Sequence, residues 1–445
     1  ILSGLVGSEM CIRDRADATI AAIGAGVRWI IDLRRAGALA AVRPSAAVLA
    51  RHTVERCDSL PMLGGADYSG VIVLRAPMAS GKTQKIGLPF AAWASQQDGR
   101  FVALAHRQSL IAELSARLGC DHYQRIAGED AVHVDALAAC LPSIVKADHA
   151  QIYREARWVF IDEISQVVRS LAARVTVADR KQMSDVLAAL RDLVSRAGCL
   201  IVADAGIDDR TIQFLESCRP GERFRVIDAD IAPLQAQEAE FGFGPEALHH
   251  AYGDMLAELA DGRRLWVACG EKSRAVECAR LLETSGRRVL LVNSDNSGNR
   301  EQAEFLAAPD LISRLYDAVV ASPVISSGVS IEHREFGPWF HRVFVLASGS
   351  TVTPADAMQM ARRVRYAPSL SVVVTASNRS EIDSADAILS GLSEAASLEG
   401  RAPTPTDLDG LVADIEAGDA RQRADFAGGL WSVSYTHLRA HETRE

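Results

Sequence analysis

The chain has 445 residues, enough for about two or three domains with full cores at roughly 100–200 residues each. A composition of 48% hydrophobic and 24% charged residues excludes a disordered or fibrous protein. The formal net charge of −9 excludes a globally basic nucleic-acid binder, so any such contact has to use a local groove; solubility alone asks for the same charge.

In chain order, the first segment, ILSGLVGSEMCIRD (1–14), shares no pattern with the residues C-terminal to it. It resembles translated sequencing-adapter read-through, as does SVSYTHLRAHETRE (432–445) at the other end. Both are expected to be non-native, with longer native termini, and the first is not expected to be a signal peptide because it lacks a long apolar core. Residues 15–60 are Ala-rich and read as a helical flank. From residue 71, short apolar runs alternate with helix-length segments. The strands predicted are VIVLR (71–75), FVALA (101–105), WVFI (158–161), CLIVA (199–203) and FRVI (224–227). A polar stretch, DADIAPLQAQEAEFGFGPE (228–246), reads as a linker. The rhythm then resumes with LWVAC (265–269), RVLLV (288–292), AVVAS (318–322), RVFVLA (342–347) and LSVVVTA (370–376). Such runs imply parallel sheets covered on both faces. The expected division is a first α/β lobe over 61–235, a second over 236–380 and a helical, acidic tail over 381–431. Eight cysteines include no C-x-x-C pair and no zinc spacing, which fits reduced thiols and a cytoplasmic setting. No apolar run reaches the roughly 18 residues that span a bilayer.

The first strand runs into Ala76-Pro-Met-Ala-Ser-Gly81-Lys82-Thr83. This is the phosphate-binding loop G-x-x-x-x-G-K-[ST] with its first Gly replaced by Ala76. Backbone N–H groups of Ala79, Ser80 and Gly81 and the helix start after them would face phosphate. Lys82 adds a point charge and Thr83 a hydroxyl for Mg²⁺. A chance Gly-Lys-Thr in a turn is the bland alternative, and the strand–loop–helix context argues against it. WVFIDEIS (158–165) then supplies the acids: Asp162 as metal ligand and Glu163 to deprotonate water, at a strand's C-terminal end. Alone, such a pair is a common solvated strand end. After the later strand RVFVLA comes DAMQMARRVRY (356–366), a helix-borne Gln with three arginines. An arginine delivered from a second lobe to ATP can contribute about 10³–10⁵ in rate; a basic solvated helix face is the alternative.

These segments, in this order, resemble the motifs of a superfamily 2 helicase. APMASGKT resembles motif I, and its Ala-Pro-Met opening is similar to the herpesvirus origin-binding protein and related plasmid and phage replication helicases. ALAHRQSLIAEL (103–114) resembles motif Ia, HVDALAACLPSI (133–144) the next conserved segment, VFIDEIS motif II and IVADAGIDD (201–209) motif III. LWVACGEKSRAVECARLL (265–282) resembles motif IV, DAVVASPVISSGVSIE (317–332) motif V and QMARRVR motif VI. The resemblance covers roughly residues 60–376, with motifs I, II and V the most specific.

The resemblance implies two tandem RecA-like P-loop NTPase lobes with helical flanks. It implies an ATP- and Mg²⁺-dependent DNA helicase or translocase of a phage, plasmid or similar replicon. Single-stranded or forked DNA would be its partner, alongside primase or other replisome proteins. It further implies that Asp204 couples hydrolysis to movement and that Gln359, Arg363 and Arg365 face the nucleotide. Arg107, Ser327 and Gly328 would touch DNA phosphates. Departures are Ala79 where Gly is common, Arg362 where motif VI has Gly, Tyr366 where a second arginine is usual, and Ala203-Asp204-Ala205 in place of Ser-Ala-Thr. The finger therefore stays open among Arg362, Arg363 and Arg365. The irregular motif VI also leaves a second reading, an ATP- and DNA-binding initiation switch with weak or no hydrolysis. A packaging motor is a third, disfavoured because no carboxylate-rich nuclease site is found after the motor segments. Trp339 and Phe340 could stack on bases but read better as packing; His249-His250 reads as surface. Lys272 and Arg274 fit a phosphate contact or a solvated helix start equally.

Overall fold

The continuous apolar runs become strands buried on both faces. The computed structural model describes residues 43–430 except 79, 127–129, 173–176, 232–237, 297, 326–328, 334–336, 376–380, 399 and 401–404. Its first sheet contains β1 (Thr53–Cys57), β2 (Gly70–Arg75), β3 (Arg100–Ala105), β4 (Asp121–His122), β5 (Ala136–Cys140), β6 (Ala156–Asp162), β7 (Cys199–Asp204) and β8 (Arg225–Ala229). They lie in the order β1-β8-β2-β7-β6-β3-β5-β4, every pair parallel. The second sheet contains β9 (Glu238–Phe243), β10 (Leu265–Cys269), β11 (Val289–Val292), β12 (Ala318–Ala321), β13 (Arg342–Ala347) and β14 (Ser369–Val374). Its order is β11-β12-β10-β13-β14-β9, again all parallel.

Parallel pairing forces a crossover between neighbours, and helices supply it over both faces. Strand β10 shows the result: Leu265, Val267 and Cys269 join one apolar cluster, while Trp266 and Ala268 join the cluster on the opposite face. In the first sheet Leu74, Leu104, Phe160 and Ile201 are all fully buried, each burial contributing roughly 1.5–3 kcal/mol. The chain thus folds as two tandem parallel-sheet α/β units, and the C-terminal ends of their strands set where a site can form.

Two readings of the sequence need correction. Thr53–Cys57, inside the segment read as a helical flank, is an edge strand paired with β8. Its half-exposed, polar-rich pattern carries little signal beyond Val54. The stretch 228–246 is not simply a linker: β8 runs on to Ala229, and Glu238–Phe243 pairs along its whole length with β14. Its glutamates are tolerated because β9 is the outer strand of its sheet. After β14 come the helices Ala385–Leu398 and Asp407–Ala424. The second of these sends Leu408 and Ile415 into the core of the first lobe, while Phe426 and Leu430 just beyond it enter the core of the second. Among the described residues, no helix is long and apolar enough to cross a membrane.

Candidate nucleotide site between the lobes

The site starts where β2 ends. The loop after Arg75 closes around its own lysine: Lys82 Nζ donates to the carbonyls of Ala76 and Pro77, both at 2.9 Å. Gly81 has φ +85°, a backbone region that a side chain would strain. Thr83–Gly87 then forms one π-helical turn, a device frequent at functional sites. Ser80 Oγ is buried with no hydrogen-bond partner among the described residues. A hydroxyl left this way beside an ammonium suits a phosphate oxygen.

The acids come from the neighbouring strand ends. Thr83 Oγ1 donates to Asp162 Oδ2 at 3.2 Å, which ties the loop to the end of β6. Glu163 is next, in a left-handed conformation with φ +53° and ψ +50°, rare for a side-chain-bearing residue and found mainly where a site dictates it. Its N–H donates to the Ala203 carbonyl of β7 at 2.8 Å. Asp204, ending β7, accepts from the backbone N–H of Ser165 at 3.0 Å, from the Ser165 hydroxyl, and from Gly206 N–H at 3.0 Å. It therefore holds the first turn of the helix Ile164–Ser170 that carries the acidic pair's C-terminal continuation.

Burial governs the charges here. It lowers the pKa of the Lys82 ammonium against the pull of Asp204 and Asp162, and raises that of Asp162 against Lys82. Glu163 is pushed up to about 7 by burial, with Arg363 opposing. His106, at the end of β3, lies 3.5 Å from Glu163 Oε2 through Nδ1. Burial first, then Arg107 and Arg363, hold that imidazole down at about 3, so it is neutral near pH 7. The sequence reading overlooked His106. The available signal was a polar residue directly after a buried strand, at the sheet edge where ligands sit.

The second lobe reaches in through the helix Pro354–Ala361 and the residues after it. Gln359 Nε2 donates to Glu163 Oε1 at 3.3 Å. Arg363 Nη1 donates to the Val329 carbonyl at 3.2 Å, and Arg365 Nε to Ser330 Oγ at 3.1 Å. Ser80, Gly81, Lys82, Thr83, Asp162, Glu163, Asp204, Gln359, Arg363 and Arg365 all line one cavity of about 150 Å³, and Arg362 joins them. Burial pulls both Arg362 and Arg363 down to about 10, still cationic at neutral pH.

Other candidates lie elsewhere. Arg107 sits outside that cavity and donates Nη1 to the Val324 carbonyl of the second lobe at 3.0 Å. It borders a separate hollow with Tyr123, Ser143 and Lys146. Ala79, Ser327 and Gly328 lie outside the described residues. Phe340 is fully buried in the second core, and the Arg264 guanidinium covers the Trp339 ring at 3.8 Å. His249 and His250 are exposed on the helix Gly244–Ala260. Lys272 pairs with Asp295 at 2.9 Å and Arg274 with Glu277 at 2.7 Å.

No family model matches the sequence. An uncharacterised protein of Picosynechococcus is 22% identical over 301 residues, 63% of this chain and 29% of that protein. A protein of Escherichia phage T5, provisionally named a replication origin binding protein, is 23% identical over 330 residues, 67% of this chain and 32% of that protein. The chain therefore spans about a third of the length of these curated relatives. Among solved structures, the helicase MrfA bound to DNA superposes with a TM-score of 0.51 at 16% identity, over 70% of this chain and 47% of that one. The DEAD-box helicase Mss116 bound to single-stranded RNA superposes with 0.51 at 11% identity, over 77% and 73%. Dbp5 of S. cerevisiae, bound to Gle1, gives 0.50 at 12% identity, over 80% and 90%. At these identities the likeness speaks for the architecture alone, and that architecture is a pair of tandem RecA-like lobes.

Proposed function

We propose that this chain is the motor portion of an ATP-dependent DNA helicase or translocase that serves the replication of a phage, plasmid or similar replicon. One observation carries the reading: Gln359 of the second lobe touches Glu163 of the first at 3.3 Å, in a cleft that Lys82, Thr83 and Asp162 also line. A cleft completed by both lobes lets nucleotide bind more tightly to one relative placement of the lobes than to another, which is what turns binding energy into movement. The T5 relative, named for origin binding, supports DNA replication as the setting; the place proposed for it is the cytoplasm. We take lobe one to end near residue 235, lobe two to occupy 236–380 and a helical tail to come after it.

The residues fit the implied groups. Lys82 would bind β/γ-phosphate oxygens once it exchanges the carbonyls of Ala76 and Pro77 for them, and the orphaned Ser80 hydroxyl would donate to another. Thr83 and Asp162 form a hard oxygen donor set that would hold Mg²⁺, whose chemistry when bound is to neutralise charge on the phosphate oxygens. Glu163 would take the proton of the attacking water, oriented by Gln359 on one oxygen, with the His106 ring 3.5 Å from the other. Arg363 is the finger of choice, since its charge couples to Glu163 within the cleft. Asp204 would transmit the state of the loop to the helix Ile164–Ser170 through Ser165.

A nucleotide-gated DNA-binding switch is the second reading, favoured by the engagement of Arg363 with its own lobe's Val329 carbonyl. Steady-state ATP hydrolysis with and without single-stranded DNA separates the two, measured on the chain and on Lys82→Ala and Glu163→Gln. DNA-stimulated turnover lost in both variants is expected. Nucleotide and DNA binding with no turnover above the variants would leave only the switch.

A further inference from the structure

We infer that Arg169 is a positioning residue that fixes the second lobe's helix Pro354–Ala361 over the nucleotide cleft, and that the C-terminal helix Asp407–Ala424 holds Arg169 in place as a brace across both lobes. The inference rests on the motor reading above and deepens it.

Arg169 stands near the end of the helix that begins just after Glu163. Its guanidinium meets Asp356 in a two-pronged pair, Nη1 to Oδ1 at 2.8 Å and Nη2 to Oδ2 at 3.0 Å, a geometry that fixes orientation as well as distance. Gln166, one turn earlier, adds Nε2 to Asp356 Oδ1 at 3.3 Å. Asp356 is no ordinary surface acid of the second lobe. It closes the N-terminal capping box of Pro354–Ala361, accepting from Thr353 Oγ1 at 2.8 Å and Thr353 N–H at 3.2 Å. Gln359 lies three residues further, on the same helix face, and there it meets Glu163. The carboxylate that starts the helix is thus anchored to the C-terminal end of the first lobe's helix Ile164–Ser170, and Gln359 to Glu163, the residue preceding that helix. Two attachments fix the rotation of Pro354–Ala361 about its own axis, and with it the approach of Arg363.

The same Arg169 Nη2 also donates to Asp419 Oδ2 at 2.8 Å. Asp419 Oδ1 accepts from Arg210 Nη1 at 3.0 Å, and Arg210 Nη1 also reaches the Ile415 carbonyl at 3.0 Å. The side chains of Arg169, Asp356 and Asp419 are only 22%, 13% and 14% exposed, so the cluster is shielded from salt. The C-terminal helix fits tightly here: a Cβ on Gly418 would come within 2.4 Å of Arg210 Nη1. Its flanks engage both lobes, with Leu408 and Ile415 in the first core and Phe426 and Leu430 in the second. Phe426 rests on Gly349, and Gly429 abuts Pro354 at the start of the positioned helix. One guanidinium of the first lobe therefore gathers a carboxylate of the second lobe and one from the segment that spans both.

The test uses the full chain with Asp419→Asn, Arg169→Gln and Arg169→Lys. Spin labels on introduced cysteines at two exposed positions, Gln97 in lobe one and Glu283 in lobe two, report the interlobe distance. ATP turnover with single-stranded DNA reports kcat and KM. Arg169→Gln is expected to lower kcat about 100-fold, the effect of a small misplacement of reacting groups, with KM for ATP within about threefold because the first lobe's phosphate loop is untouched. Asp419→Asn should fall between, and Arg169→Lys should recover part of the loss. The distance distribution should broaden in Asp419→Asn and Arg169→Gln even without nucleotide. An unchanged distribution in the near-isosteric Asp419→Asn overturns the brace, and a loss confined to KM overturns the positioning role. A parent chain with no turnover defeats the motor reading alone; the distances then still decide the brace.

Discussion

In the first lobe the polar atoms of the site are held by that lobe's own chain. Lys82 sits on the carbonyls of Ala76 and Pro77, Thr83 on Asp162, and Asp204 on Ser165 and Gly206. In the second lobe two of the key side chains lean outward. Gln359 meets Glu163 and Asp356 meets Arg169, both across the cleft. Both lobes are all-parallel sheets, yet the first lobe's polar atoms are set by its own chain, while these two side chains of the second are set by the first. Under the proposed motor function, the difference teaches where energy conversion would reside: a ligand can move lobes only through contacts that exist in one arrangement and not in another.

The largest effect expected is on rate. Arg363→Ala should lower ATP turnover about 10³-fold or more while nucleotide affinity stays near that of the parent, whereas Lys82→Ala should lose affinity. Equal loss of affinity in both variants, read by nucleotide titration, would erase the contrast between lobes. Next comes a core test. Phe344, fully buried on β13, leaves a cavity as Ala and should destabilise the second lobe by about 3–5 kcal/mol. Thermal unfolding should show that lobe melting early while nucleotide affinity of the first is kept; joint loss would show that the lobes do not fold separately. Gly81→Ala should be milder, since a Cβ there meets nothing closer than Lys85 at 3.7 Å and only the positive φ is penalised, by about 1–2 kcal/mol. Nucleotide Kd should then rise about tenfold. An unchanged Kd would mean that the free and the loaded loop carry the same strain. The smallest effect concerns thiols of the first lobe. Burial pushes Cys120 and Cys199 up to about 12 and Cys140 to about 11. Only thiolates alkylate, so at pH 8 these three should be nearly inert, gaining reactivity about tenfold per pH unit until their pKa is reached. Half-exposed Cys57 should be modified first, as mass spectrometry of briefly alkylated protein can check.

Much of this was legible in the residues. VIVLR, FVALA, CLIVA, LWVAC and RVFVLA are continuous apolar runs, and continuous burial on both faces is the condition of an interior parallel strand. The Gly81-Lys82-Thr83 loop and the acidic pair stood out because phosphate chemistry demands particular residues at a fixed spacing, and they line one cavity. Strand β5, ALAAC, was not: alanine favours helices, and nothing local says that its neighbours β3 and β4 flank it. Edge strands β1 and β9 carry charged residues because water reaches them, which removes the apolar run. Arg107 was read as a contact to DNA phosphates; that it also donates to the second lobe's Val324 carbonyl had no signal in the sequence. Arg169, Asp356 and Asp419 lay hidden for a different reason. They are distant in sequence, and an ion pair formed by folding leaves no local periodicity to read.

Glu163 stands in the left-handed backbone region at φ +53°. A glycine would occupy that backbone with about 1 kcal/mol less strain, and it would not bury a carboxyl that burial pushes up to about 7. The position therefore sets fold stability against chemistry. Glu163→Gly is expected to melt at a higher temperature than the parent and, under the motor reading, to hydrolyse nothing, so robustness and the proposed chemistry pull this position in opposite directions.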